Sequence, residues 1–423
     1  LTECVRAVGI YMRERLRARM RHVVFRGLDE DAGDDVAPLE EFSSIAKELI
    51  ALISPMMEFG GRLGQGANFT VMRAQTLKSL GVFLTAAFND TGHVAVAWPY
   101  ISPIMQSLVR RGIAGVICKN CLAQGATAVG QENEFSVHLL SIMSHPTIDH
   151  SSYLARLKAG ESSPCFTYPF PIATHGMAEL DSAAFAAVYD YPARKVLSEH
   201  VSISRRIRSS VAKAVAGAGS WEENRALDRI LDVALECMQE MRESSEPSEI
   251  HASANLLGSV LRLLLQLCRS SSTLAFYINS RLAKIGLEER LLALVKGQLV
   301  PSDDEALGEG ETGALRGISL LLFREFICSL GHQIPSPTLR LYGGAADQAL
   351  QHGTDVRTLG AAAGLLAECM SSKHVVREDV LWTVQLCSNT KSISSVRKLL
   401  CFPGFFGNGD GSSVGSAQSL EGS

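Results

Sequence analysis

Cys118 and Cys121, with two residues between them, have the spacing of half a zinc site or of a dithiol redox pair. A structural zinc takes about four ligands, and no second Cys-x-x-Cys or His-x-x-x-His lies at a fitting distance. A thioredoxin-like role needs a strand before the motif, whereas Gly112 to Val116 reads as helix. The two cysteines therefore read as helix residues. His145, Asp149 and His150 cluster around Ser144-His145-Pro146-Thr147 and have the side-chain types for acid–base work. No motif ties a nucleophile or a second carboxylate to them, which leaves a corner between two helices. Gly61-Arg62-Leu63-Gly64-Gln65-Gly66 has the glycine content of a phosphate-cradling loop, but a helical pattern precedes it and no Walker lysine follows. It reads as a connection between helices. With no catalytic signature, metal or cofactor motif, the sequence points to a protein that binds rather than catalyses.

Basic residues make the stronger candidate for contact with a polyanion. Arg13, Arg17 and Arg21 recur every fourth position, so one helical face carries three guanidinium groups able to track phosphates, with Arg15 and Arg19 on the adjoining face. A second group gathers Arg194, Lys195, Arg205, Arg206, Arg208 and Lys213. Either set also suits an acidic protein surface, the chain's own Asp29 to Asp35 loop included.

These residues sit on a long series of helices. Apolar residues return at three-and-four spacing from Ile250 to Leu267, Leu287 to Leu299 and Leu315 to Leu330, with no alternating strand pattern between them. Residues 2–25 read as an Arg-rich helix, and Pro38 suits the first turn of the next. The pattern predicts further helices at 69–88, 99–110, 112–125, 133–144, 147–158, 179–190, 193–216, 221–243, 248–268, 272–284, 287–299, 312–330, 336–351, 355–370, 375–388 and 391–401. Three prolines between Pro164 and Pro171 forbid a helix there and mark the clearest internal boundary. Helix pairs recur at roughly the forty-odd-residue period of two-helix repeats. The organisation expected is N-terminal helical repeats over 1–160, a Pro-rich linker over 161–178, C-terminal helical repeats over 179–402 and a Gly/Ser-rich disordered tail over 403–423.

Composition bounds the rest. A chain of 423 residues exceeds one ordinary core, and 46% hydrophobic against 20% charged residues supplies enough apolar surface to offset ordering entropy. The net charge of −4 gives no global field toward nucleic acid or anionic membrane, so a polyanion site must be local. Ten scattered cysteines, many among leucines and valines, suit small core residues in a reducing compartment. No run of eighteen uninterrupted apolar residues occurs, and Leu1 to Arg6 lack the features of a signal peptide. A first residue of Leu rather than Met suggests a fragment of a longer chain.

Two short stretches carry a family resemblance. Phe135-Ser136-Val137-His138-Leu139-Leu140-Ser141-Ile142-Met143-Ser144-His145-Pro146-Thr147 is similar to a helix ending in a His-Pro corner in the nuclear exportins of the importin-β superfamily. The branch it resembles is the exportin-five or HASTY branch, which carries small structured RNAs. Leu180 to Arg194, containing Phe185, Tyr189, Asp190 and Tyr191, resembles that branch's acidic-aromatic segment followed by Arg. Trp221-Glu222 resembles the Trp-Glu that opens a later helix there. Neither stretch is a binding motif, so the resemblance implies a fold and a transport context and transfers no functional residue. It implies a HEAT-repeat solenoid whose concave face grips RNA or protein cargo together with Ran-GTP, working between nucleus and cytoplasm.

The reading is an all-α HEAT/armadillo-like solenoid that binds partners without a cofactor and without inserting into a membrane. A general HEAT/armadillo scaffold with protein partners, in a cytosolic or chromatin complex, is the rival. The candidate polyanion-binding residues are Arg13, Arg17, Arg21, Arg205, Arg206 and Arg208. The tail offers almost no apolar side chain able to dock, Val414 and Leu420 apart. Deleting Gly407 to Ser423 should leave the melting temperature nearly unchanged in a thermal scan, and a marked fall would show that the tail packs.

Overall fold

The computed structural model describes residues 51, 74, 76–78, 106–122, 130–144, 206–217, 225–298, 309–353, 356–371 and 394–395. Among the described residues the ordered elements are all helical and none is a strand. In chain order they are a helical segment at 106–110, α1 (Ile113–Val116), a π-helical turn (Ile117–Leu122), α2 (Gly130–Ser144), α3 (206–216), α4 (Arg225–Glu243), α5 (Pro247–Ser270), α6 (Ser272–Lys284), α7 (Leu287–Val295), α8 (Glu309–Leu330), a 3-10 turn (Gly331–Gln333), α9 (Ser336–His352) and α10 (Val356–Ser371). The helices expected at 2–25, after Pro38, at 69–88, 147–158, 179–190, 375–388 and 391–401 lie outside the described residues, apart from helical positions at 51, 74, 76–78 and 394–395. So do the 161–178 linker and the 403–423 tail.

Local chemistry sets most of the boundaries. Pro247 stands in the first turn of α5, where a missing N–H costs nothing, and Glu249 adds a carboxylate to the positive end of the helix. Ser271 ends α5 in an extended conformation and caps α6, its Oγ accepting from the Leu274 N–H at 3.4 Å. One boundary differs from the sequence pattern. The apolar spacing continues to Leu299, but α7 stops at Val295 because Gly297 turns left-handed at φ 76°. There the Gln298 N–H reaches the Ala293 carbonyl at 2.9 Å and the Gly297 N–H reaches Leu294, a glycine-terminated cap that satisfies the last carbonyls. A second difference lies at 112–125. The α-helical pattern persists only from Ile113 to Val116 and then widens into the π-helical turn.

Contacts between helices fix a two-layer order. At one end of α5, His251 meets Glu311 of α8, and at the other Arg269 meets Glu325, so α5 and α8 run parallel. α8 and α10 run parallel too, since Thr358 Oγ1 donates to the Gly313 carbonyl and Arg324 pairs with Glu368. In the second layer α7 and α9 are parallel, joined through Glu288–Tyr342 and the Lys296 carbonyl with Gln348. α4 packs on α5, α7 on α8 and α9 on α10, so each layer covers the other. The interval from α5 to α8 holds two short helices, α6 and α7, where α8 to α10 holds only α9. The forty-odd-residue period is therefore not constant here.

The core between the layers is one continuous cluster running from Leu77 to Cys369 in sequence. Leu264 of α5 and Leu322 of α8 are fully buried in it. Truncating either to Ala should cost about 2–5 kcal/mol, the lost transfer energy plus the cavity left behind. Chemical denaturation of each variant measures this, and a change within error would show that the site collapses or is not packed.

Candidate functional site

Of the candidate polyanion residues, Arg13, Arg17, Arg21 and Arg205 lie outside the described residues. Arg206 and Arg208 lie on α3, whose Ile207, Val211 and Val215 are fully buried and set its inward face. Arg206 is exposed, and Lys213, seven positions on, is exposed on the same side. Arg208 is about 200° round the helix from Arg206 and half-buried. The structure thus brings Arg206 and Lys213 together on one face and turns Arg208 away from them. Ser209, exposed between the two cations, completes that face.

Cys118 sits in the π-helical turn, 1% exposed, and burial pushes its thiol up to about 12. Such a group stays protonated at neutral pH and has neither the charge nor the access that metal binding or thiol exchange needs. Cys237 behaves alike: burial first, then the carboxylates of Glu240, Glu134 and Glu236, push it up to about 12. The same carboxylates crowd each other between α2 and α4. Burial, then Glu240 and Glu236, raise the Glu134 carboxyl above its ordinary value. Arg229 bridges this seam, pairing with Glu236 at 3.0 Å, and Asn133 turns its amide oxygen to accept from Arg229 Nε and Nη2 at 3.0 Å each. Among the described residues no group of three His, Cys, Asp or Glu side chains could hold a metal ion. His145, Asp149, His150 and the Gly61–Gly66 loop lie outside them.

Two polar clusters had no signal in the sequence. Tyr342 of α9 is fully buried, stacks on Phe323 with ring centroids 4.5 Å apart, and its phenol donates to Glu288 Oε1 at 2.6 Å with the Asn279 side-chain amide 3.3 Å away. Burial, then the Glu288 charge, hold that phenol well above the ordinary tyrosine range. It ties α9 to α6 and α7. In the other cluster His138 Nδ1 of α2 lies 3.2 Å from Ser259 Oγ of α5, with Arg262 nearby. Nothing in the spacing of Tyr342 or His138 marks them, because their partners lie 54 and 121 residues away.

No family model matches the chain, and no curated protein gives a significant match. Among solved structures, an engineered protein aligns with 13% identity over 90% of this chain and 99% of that one, at a TM-score of 0.14, a likeness that carries no argument.

Thiol labelling checks the reading of the cysteines. In the native protein at neutral pH, Cys328, exposed on α8, should alkylate first among the described cysteines. Cys118, Cys237, Cys268 and Cys369 should label only on unfolding, as mass spectrometry of the digested protein would show. Early modification of Cys118 would reopen a role for the Cys118–Cys121 pair.

Proposed function

We propose that the chain is a non-catalytic helical-repeat binding protein, a HEAT-like solenoid of the nuclear-exportin kind that carries RNA or protein cargo together with Ran-GTP. The observation that carries this reading is the register of the two layers. α5, α8 and α10 run parallel in one, and α7 and α9 run parallel in the other, with each unit resting on its neighbours. Stacked helix pairs present extended surfaces rather than a closed pocket, and their stability is a sum of units and the interfaces between them. The exposed Arg206–Lys213 face and the resemblance of 135–147 and 180–194 to exportin segments support a polyanionic cargo.

Guanidinium–phosphate contacts release counterions, so hairpin RNA affinity should fall steeply as salt rises. Replacing Arg13, Arg17 and Arg21 together with Glu should abolish hairpin binding while leaving the helical circular dichroism unchanged, because Glu is also a good helix former. Fluorescence anisotropy with a short RNA hairpin, run with and without Ran-GTP, makes the comparison. Equal binding by wild type and triple variant removes that stripe from the site. Binding by neither, with Ran-GTP present, favours the general scaffold with protein partners.

A further inference from the structure

α5 is apolar round most of its circumference, but Asn255, Ser259, Arg262 and Gln266 follow one another at four-, three- and four-residue spacing, a polar stripe along the helix. α2 meets that stripe with His138, whose own face continues through Glu134 and Ser141. The Ser259 hydroxyl donates to the Asn255 carbonyl at 3.1 Å, so its oxygen is the acceptor for a proton on His138 Nδ1. Gln266, only 5% exposed, leaves its Oε1 without a hydrogen-bond partner. Water can satisfy His138 and Ser259 once this seam opens, whereas the contacts that join α8 to α10, Arg324–Glu368 and Thr358 with the Gly313 carbonyl, contain no histidine.

We propose that the α2–α5 seam is an acid-opened joint, in which a proton on His138 places a second cation beside Arg262 and separates α2 from α5 while α5, α8 and α10 stay stacked. The charges that neighbouring elements bring to α2 are Arg262 from α5, Arg229, Glu236 and Glu240 from α4 and Lys78 over the Phe135 ring, while Lys119 of the π-helical turn, which also packs on α2, is exposed. Glu236 and Glu240 act on Glu134, one turn before His138, and are held by Arg229 and by the Ser253 hydroxyl. At His138 burial, then Arg262, lower the affinity for a proton. The sign follows directly. A histidine depressed in the closed state favours closure above its ordinary value near 6.5, and that stability is lost as pH falls toward the closed-state value.

Hydrogen exchange of the full chain between pH 7.5 and 5.0, corrected for the intrinsic pH dependence of amide exchange, tests the joint. The α2 amides should open up to about tenfold more for each pH unit below about 6.5, with α8 unchanged. His138→Asn should flatten the α2 profile. Arg262→Met, which keeps the stem and removes the charge, should make the rise level off at a higher pH and with smaller amplitude. That variant decides the matter if His138→Asn does not fold. A flat wild-type profile, an equal rise in α8, an unchanged rise in His138→Asn or a wild-type profile in Arg262→Met would each overturn the proposal.

Discussion

Everything described here depends on keeping α5 out of water. Its 24 residues make a helix long and apolar enough, by length and composition alone, to cross a membrane, yet 72% of the most apolar window is buried inside the protein. α2, α4, α6 and α8 provide that cover. Each fully buried leucine or valine contributes about 1.5–3 kcal/mol relative to exposure, while each ordered residue costs about 1–2 kcal/mol of backbone entropy. α5 therefore has a net reason to be ordered only when several partners bury it at once. The membrane-like composition and the two-layer arrangement are two consequences of the same requirement, because a helix apolar round most of its surface needs neighbours on most sides.

The polar contacts between helices play a different part. Arg269–Glu325 and Arg324–Glu368 lie at the surface with partly exposed side chains, where such a pair is worth about 0–1 kcal/mol. Their effect is on register. A slide of α8 along α5 by one turn would part His251 from Glu311 and Arg269 from Glu325 together. Arg324 adds a steric constraint, since its Nη1 would lie 3.3 Å from a Cβ at Gly364, so the close approach of α8 and α10 at that point requires a residue as small as glycine or a shift of the guanidinium.

The sequence is most legible where periodicity is long and locally punctuated. α6 runs from Ser272 to Lys284 as its pattern predicts, and α5, α8, α9 and α10 differ from their predicted bounds by three residues or fewer at either end. α7 ends early because Gly297 overrides an apolar spacing that continues past it, a conformational effect that counting hydrophobic residues does not register. The π-helical turn at Ile117–Leu122 escapes for the same reason, since its residues fit an α-helical pattern. Of the candidate site, helical spacing alone puts Arg206 and Lys213 on one side of α3 and Arg208 on the other, but which side is exposed depends on how α3 packs. The contacts of Tyr342 and His138 depend on the tertiary pairing of distant helices, which no local pattern encodes.

Parallel stacking has an electrostatic consequence. Side by side, α5, α8 and α10 align their peptide dipoles, so each layer taken alone would carry like partial charges along each of its edges. The partner layer relieves this: α4 and α9 reach α5 and α10 through short connections, and their dipoles oppose those of the helices they cover. Carboxylates at the helix starts, Asp228 on α4, Glu249 on α5 and Glu288 and Glu289 on α7, offset what remains. The smallest piece of this architecture that is electrically self-compensating is thus an antiparallel helix pair, such as α4 with α5 or α9 with α10.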